Sequence, residues 1–110
     1  KGYNFSVATG TNSFNLQLSG TARILLGLCL IPRKAGSSVA IQGFQDITGV
    51  SLKINNEIVI ENLDPNFLGN FFNTDEYYYL PRPLSGTDEI TITFTNPGLT
   101  ENTSLAIYYI

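Results

Sequence analysis

The sequence contains no histidine, and this removes whole classes of catalytic chemistry. Ser-His-Asp and Cys-His catalytic groups are excluded, and the commonest zinc and copper ligand is missing. The single cysteine, Cys29, excludes an internal disulfide and a cysteine-rich zinc site. It lies in the apolar run ILLGLCLI, so we expect a buried core thiol; the alternatives are an intermolecular disulfide or a reactive thiol. We predict no metal, no cofactor and no enzymatic activity.

Charged residues are scarce, at 14% of the chain, against about 25% in ordinary domains. Nucleic-acid binding requires clustered basic residues, but the net charge is −3 and Arg33 and Lys34 form the only adjacent basic pair. The apolar run 24–31 is far shorter than the roughly 20 residues that span a bilayer. We therefore expect neither a nucleic-acid partner nor a membrane span.

The sequence also argues against sugar binding by aromatic stacking and against glycosidase catalysis. Tryptophan is absent, and this weakens sugar binding by ring stacking. Two adjacent carboxylate pairs, Asp75 with Glu76 and Asp88 with Glu89, are the candidates for a glycosidase acid and base. Neighbours in a strand point to opposite faces, so neither dipeptide forms a catalytic pair by itself.

Residues 77–96, YYYLPRPLSGTDEITITFTN, carry the clearest structural pattern. Residues 77–80 form an aromatic, strand-like run, and residues 89–95 alternate Ile or Phe with Thr, which indicates a strand with one buried face. Between them, two prolines and a glycine in residues 81–86 argue against both a helix and a continuous strand. The pattern predicts two strands joined by a stiff loop.

Similar alternation recurs along the chain and predicts about eight short strands. The predicted strands are 3–8, 14–19, 22–31, 50–54, 57–61, 77–80, 89–95 and 105–110, with 39–41 as a further short candidate. Asn55 and Asn56 join two of them as a tight β-hairpin, because asparagine tolerates positive φ angles. Run 22–31 is nearly all apolar: Gly27 and Pro32 favour a strand, and its leucines allow a buried helix. As a strand it is apolar on both faces, so we expect both to be covered, by another element or by another subunit. The predicted fold is a single domain, 1–110: an all-β, antiparallel, jelly-roll-like β-sandwich.

Aromatic residues on the surface are the strongest functional signal in the sequence. Residues 77–79 are consecutive tyrosines, so at least one ring must face away from the core. Core packing with scattered exposure is the alternative to a contact surface, in which tyrosine and arginine are enriched. The predicted interface or ligand contacts are Tyr77, Tyr79 and Arg82, together with Phe71 and Phe72 in the long loop 62–75.

The C-terminal third of the chain resembles a known class of protein. The succession YYYLPRPLSGTDEITITFTN, NPG and LAIYYI is similar to the closing strands of small jelly-roll proteins of virus particles, bacteriophages especially. In these proteins a proline-containing segment leads into an alternating Thr/Ile/Phe strand, and an aromatic strand follows. The resemblance implies a capsid, vertex, decoration or head-fibre subunit that works as a symmetric homo-oligomer and carries no catalytic residues.

These observations favour a non-enzymatic structural protein of a virion that associates with itself and with other virion proteins. The first alternative is an extracellular or cell-surface module that binds a glycan or a host receptor, with loop 62–75 lining the site. The second is a pilus or adhesin subunit completed by strand donation.

Overall fold

A computed structural model describes residues 1–33, 43–68 and 77–110. The strands are β1 Gly2–Val7, β2 Gly10–Leu16, β3 Ile24–Arg33, β4 Gly49–Ile54, β5 Glu57–Leu63, β6 Tyr78–Pro83, β7 Ile90–Asn96 and β8 Glu101–Tyr109. One short 3-10 helix, Pro65–Leu68, follows β5. The predicted strand 39–41 lies outside the described residues. Within the described ranges, no helix is long and apolar enough to cross a membrane.

The strands form two four-stranded antiparallel sheets, ordered β1-β8-β3-β6 and β2-β7-β4-β5. Four of the pairings are nested: β1 with β8, β2 with β7, β3 with β6, and β4 with β5. The chain therefore runs like one long hairpin, which is rolled up by the additional pairings β3–β8 and β4–β7. This is the jelly-roll arrangement of strands, and the predicted fold class is confirmed.

The tip of this long hairpin is the turn between β4 and β5. Asn55 and Asn56 both have positive φ, at 50° and 66°, and Ile54 pairs with Glu57 across them. Two consecutive left-handed residues make the tight turn whose twist matches that of the strands. The predicted Asn-Asn hairpin is confirmed.

Inward-facing side chains of both sheets form a single core. Val7, Ile92 and Phe94 have no exposed surface. Phe94 contacts the rings of Phe5 and Phe14, at centroid distances of 5.8 and 6.0 Å, and those two rings stack at 4.5 Å. This aromatic cluster closes the core between the edge strands β1 and β2.

The prediction that the prolines end the strand before residue 81 is wrong, because β6 runs to Pro83. The N–H of Leu84 donates to the carbonyl of Arg23, so Pro83, one residue earlier, turns its nitrogen away from β3. β6 is an edge strand with no neighbour on that side. Proline is tolerated there because no ladder bond is lost.

Three other predicted boundaries also differ from the structure. The second strand is predicted over 14–19, but β2 begins at Gly10, and Thr11 already pairs with Thr95. The last strand begins at Glu101, four residues before the predicted start at 105. The third strand continues through Pro32 to Arg33. β6 pairs with β3 only between Ile24 and Leu28, so at Pro32 the strand has a single neighbour, β8.

A buried carboxylate fixes the segment that leads into β4. Glu101, the first residue of β8, is only 3% exposed. Its Oε2 accepts the backbone N–H of Gln45 at 2.8 Å, and its Oε1 accepts those of Asp46 and Ile47 at 3.1 and 3.0 Å. Three otherwise orphaned donors are thus satisfied by one side chain.

We expect Glu101→Gln to lower the free energy of unfolding by about 3 kcal/mol, because the glutamine NH2 would face backbone donors in a buried site. Denaturant unfolding measures the change. Glu61→Gln, an exposed carboxylate on β5, is the matched control and should change stability by less than about 0.5 kcal/mol. Equal midpoints for Glu101→Gln and the unmodified protein contradict this role.

Candidate interaction face

The outer face of the β2-β7-β4-β5 sheet is polar over β2, β7 and β4, whereas Ile58 on the edge strand β5 pairs with Lys53 and is 54% exposed. Its cross-strand rows consist of hydroxyl, amide and ammonium side chains: Thr11, Ser13, Asn15, Ser51, Lys53, Thr91, Thr93 and Thr95. The hydroxyls of Ser13 and Thr93 lie 2.9 Å apart, and Thr91 donates to the amide oxygen of Asn15 at 3.1 Å. Such a surface is well solvated and offers no large apolar contact.

The outer face of the β1-β8-β3-β6 sheet is apolar and aromatic where the start of β3, the end of β8 and β6 lie side by side, whereas Arg33, Asn102 and Ser104 make the other end of β3 and β8 polar. We call this surface the tyrosine face; it consists of Ile24, Gly27, Tyr77, Tyr79, Pro83, Tyr108 and Ile110. None of these side chains is charged at neutral pH. The two sides of the sandwich therefore present opposite chemistry.

Gly27 lies at the centre of the tyrosine face, beneath the ring of Tyr77. It pairs with Tyr79 of β6 on one side and with Tyr108 of β8 on the other. A Cβ atom at this position would meet the ring of Tyr77, which therefore lies directly over Gly27. The rings of Tyr77 and Tyr108 stack at a centroid distance of 4.5 Å. A glycine inside a strand often marks such a close approach.

The rest of the face is open to solvent. Tyr79 is 68% exposed, Ile110 67% and Ile24 42%. Ile24 and Ile110 exchange backbone hydrogen bonds, so their side chains lie next to each other. Exposed apolar groups that are contiguous rather than scattered mark a contact surface.

The prediction that β3 is covered on both faces holds only for the middle of the strand, because Ile24 at its start is 42% exposed. Leu28 and Leu30 face the core between the sheets, whereas Cys29 lies on the opposite side of the strand and is equally buried. Burial raises the pKa of the Cys29 thiol, and the weaker influence of a hydrogen bond with Tyr108 opposes this. Cys29 is a buried thiol, as predicted, but it lies beneath the tyrosine face and not between the sheets.

The predicted contact residues are only partly brought together. Tyr77 and Tyr79 share the tyrosine face, but Arg82 pairs with the inward-facing Leu25 and so lies on the other side of β6. There Arg82 forms an ion pair with Glu57 of β5, which links the edge strands of the two sheets. This hydrogen-bonded pairing lowers the pKa of Glu57 and raises that of Arg82. Phe71 and Phe72 lie outside the described residues.

The carboxylate of Asp88 has a structural role, since several hydrogen bonds hold it in place. It accepts the N–H groups of Ser85 and Gly86 and the side-chain amide of Asn55, at 2.7, 3.2 and 2.8 Å. Burial alone would raise the pKa of Asp88, but these hydrogen bonds together outweigh it and lower the pKa. The residue thus ties the β6–β7 loop to the hairpin tip.

Sequence reasoning did not select Gly27, Ile24 or Ile110. The one available signal was a glycine inside an otherwise apolar strand.

In residues 1–33, 43–68 and 77–110, no group of three or more His, Cys, Asp or Glu side chains is placed to hold a metal ion. No protein-family model, curated protein or solved structure matches this chain.

We expect Gly27→Ala to cost about 1–3 kcal/mol, because the new methyl group would overlap the Tyr78 carbonyl and the Tyr77 ring. Near-UV circular dichroism should also report the loss of the tyrosine stack. Gly2→Ala is the control, since a Cβ at Gly2 meets nothing within 4 Å. Unchanged stability and an unchanged spectrum for Gly27→Ala would show that the ring does not lie over this glycine.

We expect the Cys29 thiol to react with iodoacetamide at pH 8 at least about tenfold more slowly in the native protein than in denaturant, because it is buried and its thiolate is disfavoured. Mass spectrometry of the alkylated chain measures the rate. Equal rates in the two states would mean that the thiol is accessible.

Proposed function

We propose that this protein is a non-enzymatic structural subunit of a virus or phage particle, and that it associates with copies of itself through the tyrosine face. The observation that carries the proposal is the contrast between the two outer faces. One consists mainly of hydroxyl and amide side chains, with Ile58 exposed on its edge strand β5, and the other carries a contiguous exposed group of isoleucine and tyrosine side chains. A freely solvated domain has no reason to expose such a group on only one face.

The composition of the face suits contact with protein. Tyrosine is enriched at protein interfaces because its ring supplies apolar area and its hydroxyl retains a polar contact. Tyr79 and Ile110, the most exposed members, stand on β6 and at the end of β8, two positions separated by β3. They therefore border a broad surface on which a partner can rest.

Self-association is favoured over a charged partner by the absence of charge among the seven residues of the face. Two copies can meet about a two-fold axis with no like-charge repulsion between these groups, as an isologous interface requires. The virion setting rests on the resemblance of residues 77–110 to closing strands of small phage jelly rolls and on the low charge of the chain.

The test is the solution mass by size exclusion with light scattering across a dilution series. We expect an oligomer, and we expect Ile24→Lys to weaken it about tenfold or more, because a lysine would be desolvated without a partner in the interface. Ile58→Lys is the matched control: Ile58 is 54% exposed, on β5 of the other sheet.

A closed oligomer that Ile24→Lys disrupts and Ile58→Lys preserves would support the proposal and justify imaging of the assembly. A monomer at every concentration, or an oligomer insensitive to Ile24→Lys, would overturn association through this face. Saturable glycan binding by such a monomer would instead favour a binding module.

A further inference from the structure

The two lateral sides of the sandwich differ in how their edge strands are protected. On one side, β5 and β6 carry the Glu57–Arg82 ion pair, and Pro83 faces the open edge. Proline and charge are the devices that prevent an edge strand from pairing with another chain. On the other side, β1 has neither, since its sequence is GYNFSV.

The hydrogen bonds of β1 show which of its backbone groups are unpaired. The Lys1 amine donates to the Ile107 carbonyl at 2.7 Å, and the Ile107 N–H donates back to Lys1 at 2.8 Å. In an antiparallel ladder such double pairs alternate. Residues 1, 3, 5 and 7 therefore point their N–H and C=O groups towards β8, whereas those of Gly2, Asn4 and Ser6 point outwards.

These three outward-pointing residues form a free edge. No hydrogen bond among residues 1–33, 43–68 and 77–110 uses their backbone groups. Their side chains are small, uncharged and exposed on the outer face of the sheet. The side chain of Lys1 is directed away, to the Gln17 carbonyl at 3.1 Å. Among the residues that the structure describes, none obstructs an incoming strand at this edge.

The edge is also self-complementary, because the three residues are symmetric about Asn4. Antiparallel pairing with a second copy places Asn4 opposite Asn4 and Gly2 opposite Ser6, so that every outward N–H meets an outward C=O. We propose that β1 pairs with β1 of a second copy of this chain about a two-fold axis at Asn4. The β1-β8-β3-β6 sheet of one copy and the same sheet of the other copy then form one continuous sheet of eight strands.

The inner side of the edge supports the same register. Tyr3 and Phe5 face inwards but remain half-exposed, because no strand covers them beyond β1. In the proposed pairing Tyr3 of each copy lies opposite Phe5 of the other, in the closely spaced non-hydrogen-bonded positions. Cross-strand aromatic pairs of this kind stabilise sheets. The pairing therefore covers rings that the isolated chain leaves open.

The inference does not rest on the proposed function, because the edge of β1 and the tyrosine face are separate surfaces. It is therefore tested in the Ile24→Lys background, at concentrations at which the weakened contact through the tyrosine face no longer forms. There we expect a dimer of twice the 12.1 kDa chain mass. A monomer in this background at all concentrations would overturn the edge pairing, whatever the unmodified protein does.

Position 4 gives a test that is specific to the two-fold axis. Asn4→Lys and Asn4→Asp each place two like charges opposite one another, so each variant alone should dissociate about tenfold or more readily. A mixture of the two variants should restore the dimer as a mixed species, which native mass spectrometry identifies. Absence of the mixed dimer would overturn the proposed register.

Asn15→Lys and Asn15→Asp are the matched controls, because Asn15 is an exposed asparagine on β2, the edge of the other sheet. They should leave the dimer intact. Hydrogen exchange supplies a readout specific to strand pairing: the amides of Asn4 and Ser6 should be protected in the dimer and should exchange rapidly in Asn4→Asp. Rapid exchange of both amides in the dimer, or dissociation by the Asn15 variants, would contradict pairing through β1.

Discussion

Pairing of the chain with itself about the Asn55–Asn56 turn is the constraint on which the rest of the structure depends. Once β4 and β5 are adjacent, the remaining strands pair outwards in nested order, ending with β1 beside β8. The aromatic segments 77–83 and 105–110 are distant in sequence, but this order places them on either side of β3. The tyrosine face is therefore a consequence of topology, assembled over Gly27 from three strands.

The same order decides which strands become edges, and the residues of each edge reflect that position. β6 ends in a proline-containing segment, and the Glu57–Arg82 pair joins it to β5 across the open side of the sandwich. Glu57 and Arg82 are too exposed for the pair to add much stability, but a charge on the inner side of an edge strand disfavours further pairing. β1 lacks both features, and its lateral side is closed by the aromatic cluster around Phe5 and by hydrogen bonds from Lys1 and Tyr3 to the Gln17 carbonyl.

The sequence predicted most of the strands and their buried faces, because alternation with period two is a local property. It could not predict that β6 continues through Pro83. Proline is excluded from a strand only where its nitrogen points towards a neighbouring strand, and the local sequence does not show which side of β6 is paired. The separation of Arg82 from Tyr79 follows from the same alternation, because residues three apart in a strand point to opposite faces. The irregular pairing of β3 with β6 between Leu25 and Gly27 is not a local property of the sequence. Edges and bulges depend on partners that are distant in sequence.

A two-fold axis between antiparallel strands is perpendicular to the sheet, so joining two copies through β1 keeps both tyrosine faces on the same side. An isologous contact alone closes at a dimer, whereas two different isologous contacts on one subunit link dimers into larger assemblies. The tyrosine face and the β1 edge are separate surfaces of one sheet, and neither obstructs the other. If both contacts form, each subunit takes part in two different two-fold contacts at once, and the dimers joined through β1 are linked to one another through their tyrosine faces.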